Sequence, residues 1–359
     1  MKKYRVGILG ATGMVGQRFI ALLDNHPWFD VVVVAASEKS AGQRYNDAVT
    51  TRWKMETPIP AKIKNVKLLA VERDREDIAR QVDFVFCCLD MNKDEIKRVE
   101  ESYASLGVPV ISNNSAHRFT EDVPMIIPEI NPGHAELIAI QQKNRGWKKG
   151  FIAVKPNCSI QSYVAVLTAL QEFKPSQVDV VSLQAISGAG KTFETWPEMV
   201  DNVIPFIGGE EEKSEKEPMK IWGAIKKNKL ILAKKPIISA TCVRVPVADG
   251  HMARVAVTFD KKPIKEQILF AINNFKNPIA DLNLPSAPKQ FIKYFTEENR
   301  PHTRFDRDFE NGMGITMGRL QEDKHFDWRF IALSHNTIRG AAGGAILMAE
   351  LLVKKGYIQ

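Results

Sequence analysis

Four cysteines and seven histidines supply this chain of 359 residues with its candidates for covalent and proton-transfer chemistry. Cys158 stands out in the stretch KPNCSI, behind an apolar run, Phe151 to Val154, that predicts a strand, and ahead of a helical pattern. A thiol placed where a strand ends and a helix begins feels the partial positive charge of the helix N-terminus, which favours thiolate. It is then fit to be a nucleophile, although the commonest fate of a free cysteine is that of a small buried apolar residue. A catalytic thiol needs a proton-transfer partner. His251, in RVPVADGHMARV, is the candidate, because Asp249-Gly250 marks a tight turn between two extended runs and projects the next side chain from a strand edge. His26, His134, His302 and His325 read as surface residues. Arg244 carries a planar fork suited to a carboxylate, and Arg118 in SNNSAHRF follows a strand end, where ligands collect in open α/β sheets. Together with Cys158 they specify an anionic substrate attacked by sulfur.

A second constellation lies at the start of the chain. GILGATGMVGQ places Gly10, Gly13 and Gly16 directly after the first strand and at the mouth of a helix. Glycines there let the backbone approach a pyrophosphate, whose charge is met by free N–H groups and the helix dipole. The second strand is followed by Ser37-Glu38-Lys39-Ser40 in place of the acid that would take a ribose 2′-hydroxyl. Ser37, Lys39 and Ser40 can hold a 2′-phosphate, which favours NADP, while Glu38 keeps use of NAD open. His117 and His335, with polar neighbours, are candidates for the cofactor side. SGAGKTF, Ser187 to Phe193, imitates a nucleotide-triphosphate loop, but Ala185 stands where the required earlier glycine would be, so an NTPase is excluded.

The elements that must position these residues alternate. Tyr4 to Leu9, Val31 to Ala35, Phe84 to Cys88 and Val108 to Ser112 predict strands; Gly13 to Leu23 and Asn92 to Tyr103 predict helices, giving a parallel sheet of βαβ units. After Phe151 longer extended runs (Val178 to Ala185, Ile237 to Val247, Met252 to Phe259, Gly314 to Leu320, Trp328 to Leu333) predict a mixed or antiparallel sheet. Gly340 to Val353 reads as an apolar helix rich in small residues, and Gly208 to Lys220 as a mobile surface connection. The length favours two domains. Net charge is +8, but the basic residues are scattered among acids, which argues against a nucleic-acid surface. No apolar stretch is long enough for a membrane span, and cysteines without a bridge framework point to reduced thiols in the cytoplasm.

The segments GATGMVGQ, SEKSAG, SNNSAHR, IPEINP, KPNCSIQ, LQAISGAG, GGEEEK, RVPVADGH and HNTIRGAAGGA, in this order, resemble the aspartate-semialdehyde dehydrogenase family in its archaeal and fungal branch. The resemblance implies an α/β protein: an N-terminal Rossmann-like doubly wound domain (1–157 plus 336–359) binding NADP, and an α+β catalytic and dimerisation domain with a mixed sheet (158–335). It implies reduction of L-aspartyl 4-phosphate to L-aspartate 4-semialdehyde with release of phosphate, in a homodimer or homotetramer, without a metal. By the same resemblance Cys158 is the nucleophile, His251 the acid/base, and Gln184 the residue that orients the reacting carbonyl. Arg244 clamps the substrate carboxylate, Arg118 and Lys213 bind phosphate, Asn157 assists beside the thiol, and Glu210, or Glu211 by a shift of one, meets the amine. Gly10, Thr12, Gly13, Met14 and Val15, then Ser37, Lys39 and Ser40, then Ser187, Gly188 and Asn336, are the cofactor-binding positions. N-acetyl-glutamyl-phosphate reductase and an acyl-CoA reductase of the malonyl-CoA type share the cysteine logic; a CoA thioester would not need Arg118 and Lys213.

Overall fold

The computed structural model describes residues 3–359. Its first sheet joins β1 (Tyr4–Leu9), β2 (Phe29–Ala36), β3 (Leu69–Ala70), β4 (Phe84–Cys87), β5 (Val110–Ser112) and β6 (Ile152–Val154), all parallel, in the order β3-β2-β1-β4-β5-β6. Strands covered on both faces carry near-continuous apolar runs, as FDVVVVAA and FVFC do here. The strand order reverses between β1 and β4, and in such sheets the ligand crevice opens beyond the carboxyl ends at that point. Gly10 turns the chain out of β1 at φ +92°, and a Cβ there would lie 2.4 Å from the Cys88 carbonyl oxygen, so only glycine passes.

One face of this sheet is covered by the helix Lys93–Ser105, opened by a capping box between Asn92 and Glu95. The other face is covered by the helices Met14–Leu22 and Ala342–Lys354. The last helix is buried from Ala342 to Leu352, including Glu350, whose carboxylate takes hydrogen bonds from Ser286 N–H (3.0 Å) and Oγ (2.6 Å) and pairs with His26 Nε2 at 2.9 Å. His26 is thus an interior residue, because the chain supplies a buried acid opposite it. His134 is buried as well, its Nε2 held 3.0 Å from the Gly223 carbonyl oxygen. Both were expected at the surface; single histidines carry no periodicity that reveals burial. Ile279 and Leu284, from a stretch of the second half, share the core of these two helices.

The second sheet contains β7 (Pro175–Gln184), then, after a separate hairpin of β8 (Ala224–Lys226) and β9 (Lys229–Ile231), β10 (Ile237–Arg244), β11 (His251–Phe259), β12 (Ile292–Tyr294), β13 (Ile315–Glu322) and β14 (Trp328–Ser334). The order is β10-β7-β11-β14-β13-β12, with β10 and β12 parallel to their neighbours and the other pairs antiparallel, a mixed sheet. Strict alternation buries Val178, Val180, Ser182 and Gln184 of β7, while Asp179, Val181 and Leu183 stay partly open on the other face; the helices Gln161–Ala169, Glu210–Ile221 and Lys265–Asn273 pack on the neighbouring strands of the sheet.

Two expectations are corrected. Asp249-Gly250 does not join a hairpin: β7 lies between β10 and β11, and the connection passes over its end, where Val245 N–H donates to the Gln184 carbonyl (3.0 Å) and Ile186 N–H to that of Val247 (2.9 Å). His251 therefore enters the sheet fully buried instead of projecting from an edge. The stretch Gly208 to Lys220 is no mobile connection, since Glu210–Ile221 is a helix packed on β10. Glu210, Ser214, Glu217 and Ile221 recur at helical spacing on its buried face, but three of them are polar and hide the stripe from a hydrophobicity reading.

A buried ion pair locks the loop before the last helix to the IPEINP segment: Arg339 donates to both Glu129 carboxylate oxygens (2.9 and 2.5 Å) and to the Met313 carbonyl. Arg339→Met strands the Glu129 charge in the interior, so denaturant titration is expected to show a loss of about 3–5 kcal/mol. A loss below about 1 kcal/mol contradicts this account.

Candidate active site

Cys158 leaves β6 at the same carboxyl edge of the sheet from which Gly10 leaves β1 and Cys88 leaves β4. It stands three residues ahead of the helix Gln161–Ala169 and is half-buried as a residue. Its Sγ lies 3.5 Å from His251 Nε2. The other imidazole nitrogen, Nδ1, accepts the Ala185 N–H at 3.0 Å, which in the neutral ring leaves the proton on Nε2, facing sulfur. Arg244 holds its guanidinium beside this pair by donating to the Ala185 carbonyl at 2.7 Å. Gly188 closes the floor: a Cβ there would lie 2.9 Å from Arg244 Nη1 and 3.0 Å from the His251 ring.

Behind the thiol, Glu210 gathers three groups. Its carboxylate accepts from Asn157 Nδ2 (3.0 and 3.1 Å), Gln184 Nε2 (3.3 Å) and Lys213 Nζ (2.7 Å). Glu211 instead turns outward to the Cys242 N–H, so Glu210 is the acid that faces the site. Glu217, two turns further along the helix and fully buried, accepts the Asn157 N–H at 2.6 Å and Arg118 Nη1 at 2.8 Å. The remaining Arg118 contacts are with the Lys155 carbonyl (3.0 Å) and the Asn113 carbonyl (3.2 Å), so much of its fork is engaged by the protein itself. Lys220 completes the scaffold by donating to the carbonyls of Arg118, Thr120 and Val123 at 2.7–2.9 Å.

The electrostatics overturn the expectation of a resting thiolate. Burial, reinforced by the Glu210 charge, pushes the Cys158 thiol up to about 11, against the opposite pull of Lys155, Arg118 and Arg244. Burial and the neighbouring Arg244 push His251 down to about 3. At neutral pH without substrate the two are thiol and neutral imidazole. Burial opposes the charge of Glu210, but Lys213 and the hydrogen bonds from Asn157 and Gln184 outweigh it and hold this carboxyl below its ordinary value.

At the switch point a crevice of about 660 Å³ is lined by Gly10, Thr12, Gly13, Ser37, Glu38 and Arg52, among others. Met14 and Val15 open the helix behind it, and Lys39 and Ser40 sit in the turn Glu38–Ser40, with Lys39 exposed. The close backbone at Gly10 and this volume fit a dinucleotide. Asn336, just after β14, braces the turns at the end of the second sheet, donating to Ser187 Oγ and accepting the Gly250 N–H, each at 2.8 Å. His335 is buried near Asp249, and His117 is buried with Nδ1 3.0 Å from Thr120 Oγ1. Among the described residues no group of three or more His, Cys, Asp or Glu side chains is arranged to hold a metal ion, and no helix is long and apolar enough to cross a membrane.

Four contributors escaped the sequence reading. Glu217 and Lys220 lay in the stretch taken for a surface connection, Lys155 precedes the cysteine loop unremarked, and Arg52 reaches the crevice from a separate loop. The spacing of Glu210 and Glu217 by two helical turns was the one available signal.

A dinucleotide-type crevice and a thiol–imidazole pair, with the crevice and the thiol loop at the carboxyl edge of one parallel sheet, are the layout of a thiol-dependent dehydrogenase. Residues 5–138 match the family model of the semialdehyde dehydrogenase NAD-binding domain, and 167–339 that of the semialdehyde dehydrogenase dimerisation domain. The chain is 43% identical to the aspartate-semialdehyde dehydrogenase of Archaeoglobus fulgidus, over 99% of this chain and 100% of that one. It is 42% identical to that of Aspergillus fumigatus, over 99% of each. The solved aspartate-semialdehyde dehydrogenase of Candida albicans with NADP superposes with a TM-score of 0.88 at 35% identity, covering 99% of this chain and 100% of that one. The chain belongs to the aspartate-semialdehyde dehydrogenase family.

Gly188→Ala drives a methyl group against Arg244 and His251 and is expected to lower turnover at least about tenfold with little change in unfolding temperature. Parent-like steady-state rates contradict the close approach described.

Proposed function

We propose that this protein catalyses the NADPH-dependent reduction of L-aspartyl 4-phosphate to L-aspartate 4-semialdehyde and phosphate through a thioester on Cys158. The observation that carries the reading is the 3.5 Å contact between Cys158 Sγ and His251 Nε2 inside a cage of Arg244, Gln184, Asn157 and Glu210. The family match supports the substrate, and the relative solved with NADP supports the cofactor.

Arg244 grips the substrate carboxylate with the N–H groups it does not spend on Ala185, and Glu210 receives the ammonium. Lys213 meets the phosphate, with the charge of Arg118 behind it. The Cys158 sulfur attacks the acyl carbon while backbone N–H groups at its loop receive the oxyanion; the S–H bond and the C–O bond to phosphate break, the proton leaves on the departing hydrogen phosphate, and a thioester remains. Gln184 orients its carbonyl. Ser37, Lys39 and Ser40 hold the cofactor at its 2′-phosphate, and Gly10 to Val15 cradle the pyrophosphate. When bound, NADPH supplies the hydride that takes the thioester to the aldehyde level. His251 hydrogen-bonds the departing sulfur through the Nε2 proton aimed at it, which assists collapse of the thiohemiacetal and release of the aldehyde, and the freed thiolate takes up a proton from solvent.

In this reading residues 1–157 with 336–359 bind NADP, and 158–335 carry catalysis and dimerisation, in a reducing compartment such as the cytoplasm. The partly open face of the mixed sheet, with Val181 and Leu183 on β7, Met252 on β11 and Ile331 on β14, is where a second copy would pack, as a homodimer or within a homotetramer.

NADP reduction by aspartate semialdehyde is expected to require phosphate; equal rates without phosphate count against the assignment. Cys158→Ala should cut turnover by several orders of magnitude while titrations show unchanged NADP affinity, and parent-like turnover removes the thiol from the mechanism. Arg244→Lys replaces a planar fork by a point charge and should raise the substrate KM about tenfold or more; an unaltered KM shows that the clamp lies elsewhere.

A further inference from the structure

Every polar atom of Asn157, the residue before the nucleophile, is engaged by the protein. Its N–H donates to Glu217 at 2.6 Å and its carbonyl accepts Gln161 Nε2 at 3.1 Å. Its Nδ2 donates to both Glu210 oxygens (3.0 and 3.1 Å), and its Oδ1 accepts the Ser159 N–H at 2.7 Å and the Ser159 hydroxyl at 2.6 Å. An asparagine oxygen bonded to the N–H two residues on closes an Asx turn, which fixes the chain around the residue between. Here that residue is Cys158.

The turn decides what the Cys158 N–H can do. Among the described residues it meets no acceptor, while the N–H groups on either side of it are spent on Glu217 and on Asn157 Oδ1. An unspent donor in the same residue as the sulfur stands beside any carbonyl that the sulfur attacks. Holding it there requires one orientation of the Asn157 amide. Turned over, the amide would set Nδ2 against the Ser159 N–H and Oδ1 against the Glu210 carboxylate. The Ser159 hydroxyl strengthens the correct orientation with a second donor at Oδ1. It is an interior group, 1% exposed, with Ser214 Oγ of the helix Glu210–Ile221 at 3.5 Å on its other side.

We infer that Ser159 is a positioning residue for the reaction: its hydroxyl locks the Asn157 turn and so keeps the Cys158 N–H free as the donor to the oxyanion. Its action falls on the oxygen of the reacting carbonyl and leaves the thiol where it is. The inference rests on Cys158 as the nucleophile, and two reactions of the same sulfur separate it from that reading. Attack on a carbonyl places charge on oxygen, whereas alkylation by iodoacetamide displaces iodide from a saturated carbon and needs no oxyanion donor.

With aspartate semialdehyde and NADP but no phosphate, the full-length parent is expected to form about one NADPH per site in a burst as the thioester accumulates. In Ser159→Ala the burst should slow at least about tenfold, while alkylation of Cys158 in the ligand-free protein and NADP affinity stay within about twofold and the unfolding temperature is unchanged. Ser159→Thr keeps the hydroxyl and should restore the burst to within about threefold of the parent. A burst in Ser159→Ala at the parent rate overturns the inference, as does a threonine variant as slow as alanine. Alkylation slowed in step with the burst overturns it too, because the thiol itself has then moved. Absence of a burst in the parent sinks the thioester reading and this inference with it; a parent burst that Ser159→Ala reproduces leaves the reaction standing and sinks the inference alone.

Discussion

The buried carboxylate of Glu217 is the constraint on which the site depends. A charge with no solvent contact must be paired and hydrogen-bonded, and here one oxygen takes the Asn157 N–H and the other an Arg118 nitrogen. Those partners belong to loops after β6 and β5 of the first sheet, whereas the acid rides on a helix of the second. One side chain thus fixes the backbone next to Cys158, the guanidinium behind it and the angle between the two sheets at this edge. Glu210 two turns earlier and Lys220 one turn later repeat the device, so a single helix presents three ionic anchors to two loops.

Around these anchors charges are balanced in pairs. Glu210 faces Lys213, Glu217 faces Arg118 and Glu129 faces Arg339, while thiol and imidazole rest uncharged between them. Arg244 has no acidic partner at short range, and it borders the nucleophile. An incoming acid would supply the missing counter-charge, which explains why an otherwise costly guanidinium is kept dry at that position.

Much of this was legible in the residues. The glycine loop after the first strand and the βαβ alternation defined the parallel sheet, because strands buried on both faces and amphipathic helices leave strong periodic marks. Cys158, His251 and Arg244 were found from residue type and the local pattern of turns and strands, and they do converge. What failed did so where long-range pairing replaces local pattern. The insertion of β7 between β10 and β11 depends on strands far apart in sequence, so the Asp249-Gly250 turn looked like a hairpin. The helix Glu210–Ile221 buries acids and a lysine instead of an apolar stripe, and charge alone reads as surface. The expectation of thiolate weighed a helix terminus and had no means of weighing burial.

The back of the first sheet is finished by Ile279 and Leu284, which follow the first three strands of the second sheet, and by the last helix, which follows all six. During synthesis the opening βαβ units therefore wait with an apolar surface uncovered until nearly the whole chain has emerged. A nascent chain of this protein completes its nucleotide-binding half last, although it makes that half first, and chaperones have a defined hydrophobic patch to shield in the interval.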